Sequence, residues 1–148
     1  MEKTNKTGII LKGIGGFYTV MADGVSYTCK ARGLFRKQHI TPTVGDKVEF
    51  GINADGENGY LLSICERKNL LVRPAVANID KLFIISSYAT PSPNASVIDR
   101  LTAIAVYNGI LPIIVFNKSD MGDFSKWERI YRNSGFKTYV VSASSGEG

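Results

Sequence analysis

The run Leu111-Pro112-Ile113-Ile114-Val115-Phe116, closed by Asn117-Lys118-Ser119-Asp120, constrains this chain more than any other stretch. An apolar, β-branched run bounded by turn residues predicts a strand buried on both faces, as in parallel sheets. Polar residues just past the carboxyl end of such a strand lie where open α/β sheets bind ligands. The order Asn-Lys-x-Asp has a specific use at that place. Guanine presents N1–H and N2–H₂ side by side, and one carboxylate, here Asp120, accepts both in a charge-assisted pair. Adenine offers a lone pair at N1, which leaves the carboxylate unpaired, and such a mismatch discriminates by roughly 10⁴. Asn117 is placed to bond the N7 side of the base and tie neighbouring loops. Lys118 can lay its methylene stem across the ring face.

Further on comes a second strand-like run, Lys137-Thr138-Tyr139-Val140-Val141, followed by Ser142-Ala143-Ser144. In guanine-nucleotide proteins a Ser-Ala after the next parallel strand supplies a backbone N–H, here that of Ala143, to guanine O6. Either motif alone is also spelled by ordinary polar turns. Strand, Asn-Lys-x-Asp, helix, strand and Ser-Ala in one order favour a guanine site over that bland reading.

The chain around this stretch has two textures. The first 68 residues alternate as short strands: 7–13, 17–21, 25–31, 47–50 and 60–65, with Asp23-Gly24 as a hairpin signal. Strands marked by glycine bends suit a small closed barrel, and an OB-fold fits best. Gly13-Ile14-Gly15-Gly16 is followed by no helix, so it marks a tight strand connection and not a nucleotide loop. Residues 69–80 are expected to be a linker docking on the next domain, and 81–148 the first part of an α/β domain. There, strand 81–87 is broken by Pro91-Ser92-Pro93-Asn94 before a helix. Val97, Ile98, Leu101, Ile104 and Ala105 share one face of it, and Asn108-Gly109 stops it. A second helix, about 125–133, precedes the last strand. The result is a parallel sheet with right-handed crossovers, in which Trp127 is a packing residue.

Composition excludes rather than assigns. No apolar run reaches the length of a membrane span, and the N-terminus lacks the apolar segment of a signal peptide, so the expected compartment is cytoplasmic. Cys29 and Cys65 are too few for a disulfide framework and read as core thiols. A single histidine gives metal ligation no support. A net charge of +5 points to an anionic partner. Lys30, Arg32, Arg36, Lys37 and His39, with Phe35 among them, form a basic, aromatic-bearing segment of the kind OB-folds use on RNA. An ordinary solvated loop would have the same composition.

Nucleotide hydrolysis in this fold class needs a glycine-rich phosphate loop, G-x-x-x-x-G-K-[ST], ahead of Asn-Lys-x-Asp in the usual order. None occurs in residues 1–116; Gly8 and Gly13 have the spacing, but Ile14 stands where lysine must be. The phosphate half therefore follows the base half, as in a circular permutation, or the chain handles no nucleotide.

The sequence resembles the circularly permuted GTPases of small ribosomal subunit biogenesis (ribosome small subunit-dependent GTPase A). The likeness rests on Lys12-Gly13 with Gly15-Gly16-Phe17-Tyr18, on Cys29 to Arg36, and on Val44-Gly45-Asp46. It continues in Arg67 to Pro74, Ala77-Asn78-Ile79-Asp80, Asn117 to Asp120 and the closing Ser-Ala-x-x-Gly-Glu-Gly. It implies an OB domain docking on 16S rRNA, a central GTPase domain using GTP/GDP with Mg²⁺, and a C-terminal zinc domain. It also implies a monomer whose GTP hydrolysis is stimulated by the 30S subunit late in maturation. The guanine-binding residues it implies are Asn117, Lys118, Asp120, Ser142 and Ala143. The phosphate loop, switch threonine, D-x-x-G segment and zinc cysteines would all lie beyond Gly148. The expectation is a fragment with no catalytic residue of its own, inactive by itself. The competing expectation is a non-catalytic RNA-binding OB module whose α/β half is only a scaffold.

Overall fold

The computed structural model describes residues 5–37, 39–88 and 91–148, and the chain divides into two compact units, Met1–Ile79 and Asp80–Gly148. In the first unit β1 (Asn5–Ile14), β2 (Phe17–Ala22), β3 (Val25–Ala31), β4 (Lys47–Ile52) and β5 (Asn58–Ile64) close into a barrel, order β1-β2-β3-β5-β4. Every neighbouring pair is antiparallel except β3 with β5, which run parallel. The antiparallel β1–β4 pairing closes the OB-like barrel the sequence predicts. The period of two is visible in what the barrel swallows: Ile10, Val20, Cys29, Val48, Phe50 and Leu61 all have no exposed surface. Gly8 on β1 faces β2 so closely that a Cβ there would lie 2.6 Å from the Met21 carbonyl oxygen. A side chain at this position would push the two strands apart.

Residues 69–80 differ from the expected linker. β6 (Leu70–Val72) and β7 (Ala75–Ala77) form a hairpin across the cis Arg73–Pro74 peptide. Its hydrogen bonds run to the barrel: Ala77 N–H donates to Val44 O at 2.8 Å, and Asn78 Nδ2 to Gly45 O at 2.9 Å. Gly45, at φ +89°, presses against the Ala77 backbone, so neither its conformation nor the space admits a Cβ. The Asn69 amide brackets Ile79, donating to its carbonyl and accepting from its N–H, both at 2.8 Å. Beneath lies the fully buried Asp46, gripped by Arg67 through Nε (2.7 Å) and an Nη (2.8 Å), with Thr43 N–H adding a third bond at 2.7 Å. This pairing lifts the Arg67 pKa above the ordinary guanidinium range. The two asparagines and this ion pair account physically for the Arg67–Pro74 and Ala77–Asp80 runs. They fasten a hairpin.

In the second unit β8 (Lys81–Ser87), β9 (Leu111–Asn117) and β10 (Lys137–Val141) make a parallel sheet, order β10-β9-β8. The crossovers are α2 (Ala95–Tyr107) and α3 (Ser125–Asn133); α1 is a short helix, Gly33–Lys37, between β3 and β4. Asn94 caps α2, its side chain accepting from Val97 N–H, and Gly109 at φ +67° follows its end. Ile98 and Tyr131 from the two helices enter one core with Ile84, Ile114, Phe116 and Phe124. Both helices therefore cover the same face of the sheet. Trp127 stacks on Tyr131, rings 6.5 Å apart and 8° from parallel, in the packing role expected of it.

The buried stripe of α2 is rotated from the expected one. Ile98, Thr102 and Ala105 are buried, while Val97, Leu101 and Ile104 are exposed. Thr102 enters the core because its hydroxyl donates back to Ile98 O at 2.7 Å, leaving no polar atom unpaired. Hydropathy ranks Leu101 above Thr102; only the helix's rotation against the sheet decides between them.

Candidate functional site

β8, β9 and β10 end in register at Ser87, Asn117 and Val141, so the loops after β9 and β10 emerge side by side. Asn117 joins them. Its Oδ1 accepts from Lys118 N–H at 2.8 Å and from Ala143 N–H at 3.0 Å, which ties the Ser-Ala loop to the Asn-Lys-x-Asp loop. Lys118 adopts the left-handed conformation (φ 67°, ψ 44°), an uncommon one for a side chain of its size. It turns the chain into a 3-10 segment, Ser119–Met121, that carries Asp120 back toward β10. The Tyr88 ring lies against Gly122 and meets Phe124 edge-on, 5.3 Å between ring centres, bracing this segment from behind.

Asp120 is exposed, and its Oδ1 accepts from Ser142 Oγ at 2.5 Å. Bonding to Ser142 holds the Asp120 carboxyl below the usual carboxylate range, with smaller help from Ser144 and from the Lys118 charge. Ser142 has no exposed surface, and its backbone closes a turn by accepting from Gly146 N–H and donating to Glu147 O, both at 2.8 Å. The result is a carboxylate fixed in place, ionised and open to solvent on its other edge. Its acceptors are oriented before any donor pair arrives.

Asn117, Lys118, Asp120, Ser142 and Ala143 are thus gathered at one rim. Two details differ from the expected roles. The Ser142 hydroxyl is buried and spent on Asp120, so it positions the carboxylate and has no surface to offer a base. The Ala143 N–H, expected to serve guanine O6, is held by Asn117. Both follow from the need to satisfy polar groups wherever two loops pack together.

The basic segment of the barrel unit is only partly the surface expected. Lys30, Arg32, Lys37 and His39 are exposed, and the Arg36 side chain lies outside the described residues. Phe35, expected on the RNA face, is 4% exposed and belongs to the barrel core. The short helix α1 turns that ring inward, because an apolar ring at the mouth of a small barrel is more stable filling it than facing water. Sequence reasoning missed Phe17 and Tyr60, which flank Lys30 directly: Phe17 pairs with Lys30 across β2–β3, and Lys30 with Tyr60 across β3–β5. The Lys30 ammonium stands 4.9 Å from the Phe17 ring centre, and the Arg32 guanidinium 4.2 Å from that of Tyr60. Only strand register could have exposed this.

A closed five-stranded barrel followed by a GTPase-like α/β region is the architecture of one class, the circularly permuted GTPases. Residues 7–61 match the model of the RsgA N-terminal domain and residues 64–148 that of the RsgA GTPase, and the chain belongs to this family. It is 39% identical over 147 residues to the small ribosomal subunit biogenesis GTPase RsgA of Geobacillus thermodenitrificans, covering 95% of this chain and 50% of that protein. The RsgA of Streptococcus agalactiae serotype V is 48% identical over 116 residues, 78% of this chain and 40% of that one. Among solved structures, YloQ, a circularly permuted GTPase, superposes with a TM-score of 0.80 at 34% identity, over 95% of this chain and 53% of that one. YjeQ from Thermotoga maritima gives 0.82 at 30% identity, over 98% and 54%. The chain spans about half the length of the curated relatives it matches.

Proposed function

We propose that this chain carries the guanine-reading half of a GTPase that acts late in maturation of the 30S subunit, with the barrel as its 16S rRNA-docking module. The observation that supports it best is the Asp120 carboxylate, fixed by the buried Ser142 at the carboxyl rim of a parallel sheet. In this reading Asp120 accepts guanine N1–H and N2–H₂, and Asn117 faces N7. The Lys118 stem covers the ring, Ser142 and Ala143 support the carboxylate and the loop, and Lys30, Arg32, Lys37 and His39 meet RNA. The protein works as a cytoplasmic monomer. No helix among the described residues is long and apolar enough to cross a membrane.

Hydrolysis needs groups that stabilise charge on the γ-phosphate, and these are assigned to the part of the relatives that this chain does not span. The Mg²⁺ and zinc implied by the resemblance are assigned to that part too, Mg²⁺ with the phosphate loop and zinc with a C-terminal domain. Residues 1–148 alone are expected to bind GTP weakly and to hydrolyse none.

The test is Asp120→Asn in a protein of the relatives' full length. Asparagine presents one acceptor and one donor, which matches xanthine N1–H and O2 and no longer matches guanine. GTP affinity should fall by at least about 100-fold while xanthosine triphosphate gains. Unaltered selectivity would remove Asp120 from the site. A wild-type protein that does not distinguish guanine from adenine nucleotides would leave the α/β half a scaffold and the barrel an RNA-binding module.

A further inference from the structure

We infer that Tyr88 is a positioning residue for the base-reading carboxylate: it clasps the Asn-Lys-x-Asp segment at both ends and so sets where Asp120 presents its acceptors. The inference rests on the proposed guanine reading and adds what fixes the selectivity of that site. Neither Tyr88 nor its partner Gly122 belongs to the Asn-Lys-x-Asp or Ser-Ala motif.

Tyr88 follows Ser87, the last residue of β8, which stands beside Asn117 in the sheet. Its N–H donates to Asn117 O at 3.0 Å, one step past the ladder, and holds the start of the segment. Its ring reaches the other end. A Cβ on Gly122 would overlap Cζ and both Cε atoms of Tyr88. Gly122 has φ 174°, an extended conformation open to any residue, so glycine is needed there for space and not for backbone freedom. Between the two contacts lie Lys118 and the 3-10 turn Ser119–Met121, with Asp120 at its centre. Ser142 holds one oxygen of that carboxylate. Tyr88 locates the backbone that carries it.

The ring is itself anchored. It meets Phe124 edge-on, the rings 88° apart, and Phe124 lies over Phe116 with ring centres 5.0 Å apart. Phe124 is 2% exposed and Phe116 has no exposed surface, so three rings in series tie the segment to the core of the unit. Among the described residues the Tyr88 hydroxyl makes no hydrogen bond, which leaves the ring's shape as the acting feature.

A carboxylate that reads guanine must align both oxygens with N1–H and N2–H₂, and hydrogen bonds weaken steeply off-axis. Such a site works only while supporting contacts hold it to about 0.5 Å. With the ring gone, Asp120 can still turn to meet one donor but no longer both. The loss therefore falls on the second hydrogen bond.

The experiment compares affinities for mant-GDP and mant-IDP in a protein of the relatives' full length. Hypoxanthine keeps guanine's N1–H and lacks the N2 amine, so the ratio reports the second donor alone. Wild type should prefer mant-GDP by at least about 10-fold, as one charge-assisted hydrogen bond predicts. Tyr88→Ala should shrink that ratio by at least about 3-fold, and Gly122→Ala, whose methyl displaces the ring, should do the same. The double variant should lose no more than Tyr88→Ala alone, because the methyl then enters vacated space. Tyr88→Phe keeps the ring and should keep the ratio. Tyr88→Leu still covers Phe124 but stops short of Gly122; it should lose the ratio as Tyr88→Ala does, and it decides the matter if Tyr88→Ala does not melt cooperatively. A lowered melting temperature with an unchanged ratio in Tyr88→Leu, or losses that add in the double variant, would overturn the clasp and leave guanine reading standing. Equal affinity of the wild type for mant-GDP and mant-ADP would overturn guanine reading and the clasp with it.

Discussion

The barrel and the sheet solve the same problem in opposite ways. In the barrel every strand has two neighbours, so no backbone edge is left over, and one face of each strand fills a common interior. Among the described residues the sheet has three strands, with β8 and β10 as its edges and both helices on one face. The face away from the helices carries Phe83 (58% exposed), Ile85 (65%) and Tyr139 (51%), and the outer stripe of α2 adds Val97 and Leu101. A closed sheet completes itself with about 60 residues, whereas an open parallel sheet is stable only when both faces are covered. The difference teaches that apolar content alone does not measure a core. What matters is whether the topology gives each apolar face something to meet.

Substitutions can break or sharpen this contrast. The largest effects belong to groups that have no alternative environment. Asp46→Ala leaves Arg67 with no carboxylate partner and frees the Thr43 turn, and should destabilise the barrel unit by about 3–5 kcal/mol in chemical denaturation followed by tyrosine signals. Phe116→Ala opens the centre of the second core, where that ring packs against Phe124, Trp127 and Tyr131, and should cost about 3–5 kcal/mol. Trp127, the sole tryptophan, reports it directly. Equal losses for Phe116→Ala and for Phe83→Ala would erase the distinction between the covered and bare faces.

Smaller effects follow from titration. Burial pushes the Cys29 thiol up to about 11 from an ordinary 9.0. The folded barrel therefore favours the protonated thiol. That contribution is intact below the unfolded value and fades as pH rises from about 9 to about 11. Barrel stability should decline across that window, and Cys29→Ala should flatten the decline. Iodoacetamide should modify the half-buried Cys65 before Cys29. For Asp120 the sign is reversed: its lowered pKa keeps the carboxylate-dependent contact with Ser142 present above the ordinary carboxylate value, and it is lost as pH falls through the lowered one. Ser142→Ala should move the Asp120 titration, followed by carboxyl NMR, back up toward that ordinary value. The smallest effect is expected on the bare face, where Ile85→Lys should alter stability by no more than about 0.5 kcal/mol.

Much of this molecule was legible before its structure. Alternation announced the five barrel strands. The Asp23-Gly24 and Asn108-Gly109 turns fell where expected. The Leu111–Asp120 stretch announced a buried strand with a polar rim, and Asn117, Lys118 and Asp120 lie there beside Ser142 and Ala143. What escaped was set by partners distant in sequence. The hairpin of residues 70–77 depends on Asn69, Asn78 and Gly45 meeting across the fold. The inward turn of Phe35 depends on an open barrel mouth. The place of Thr102 in the core depends on a back-bond that hydropathy does not see.

Local chemistry therefore determined the elements, their order and the residue types available at the sheet's polar rim, because backbone preferences and side-chain periodicity act over a few neighbouring positions. Tertiary structure alone decided that Ser142 holds Asp120, that Asn117 bridges two loops, and that Phe17, Lys30 and Tyr60 share one outward row. Those facts depend on register and on which polar groups remain unsatisfied once strands pair. Neither exists until distant parts of the chain have come together.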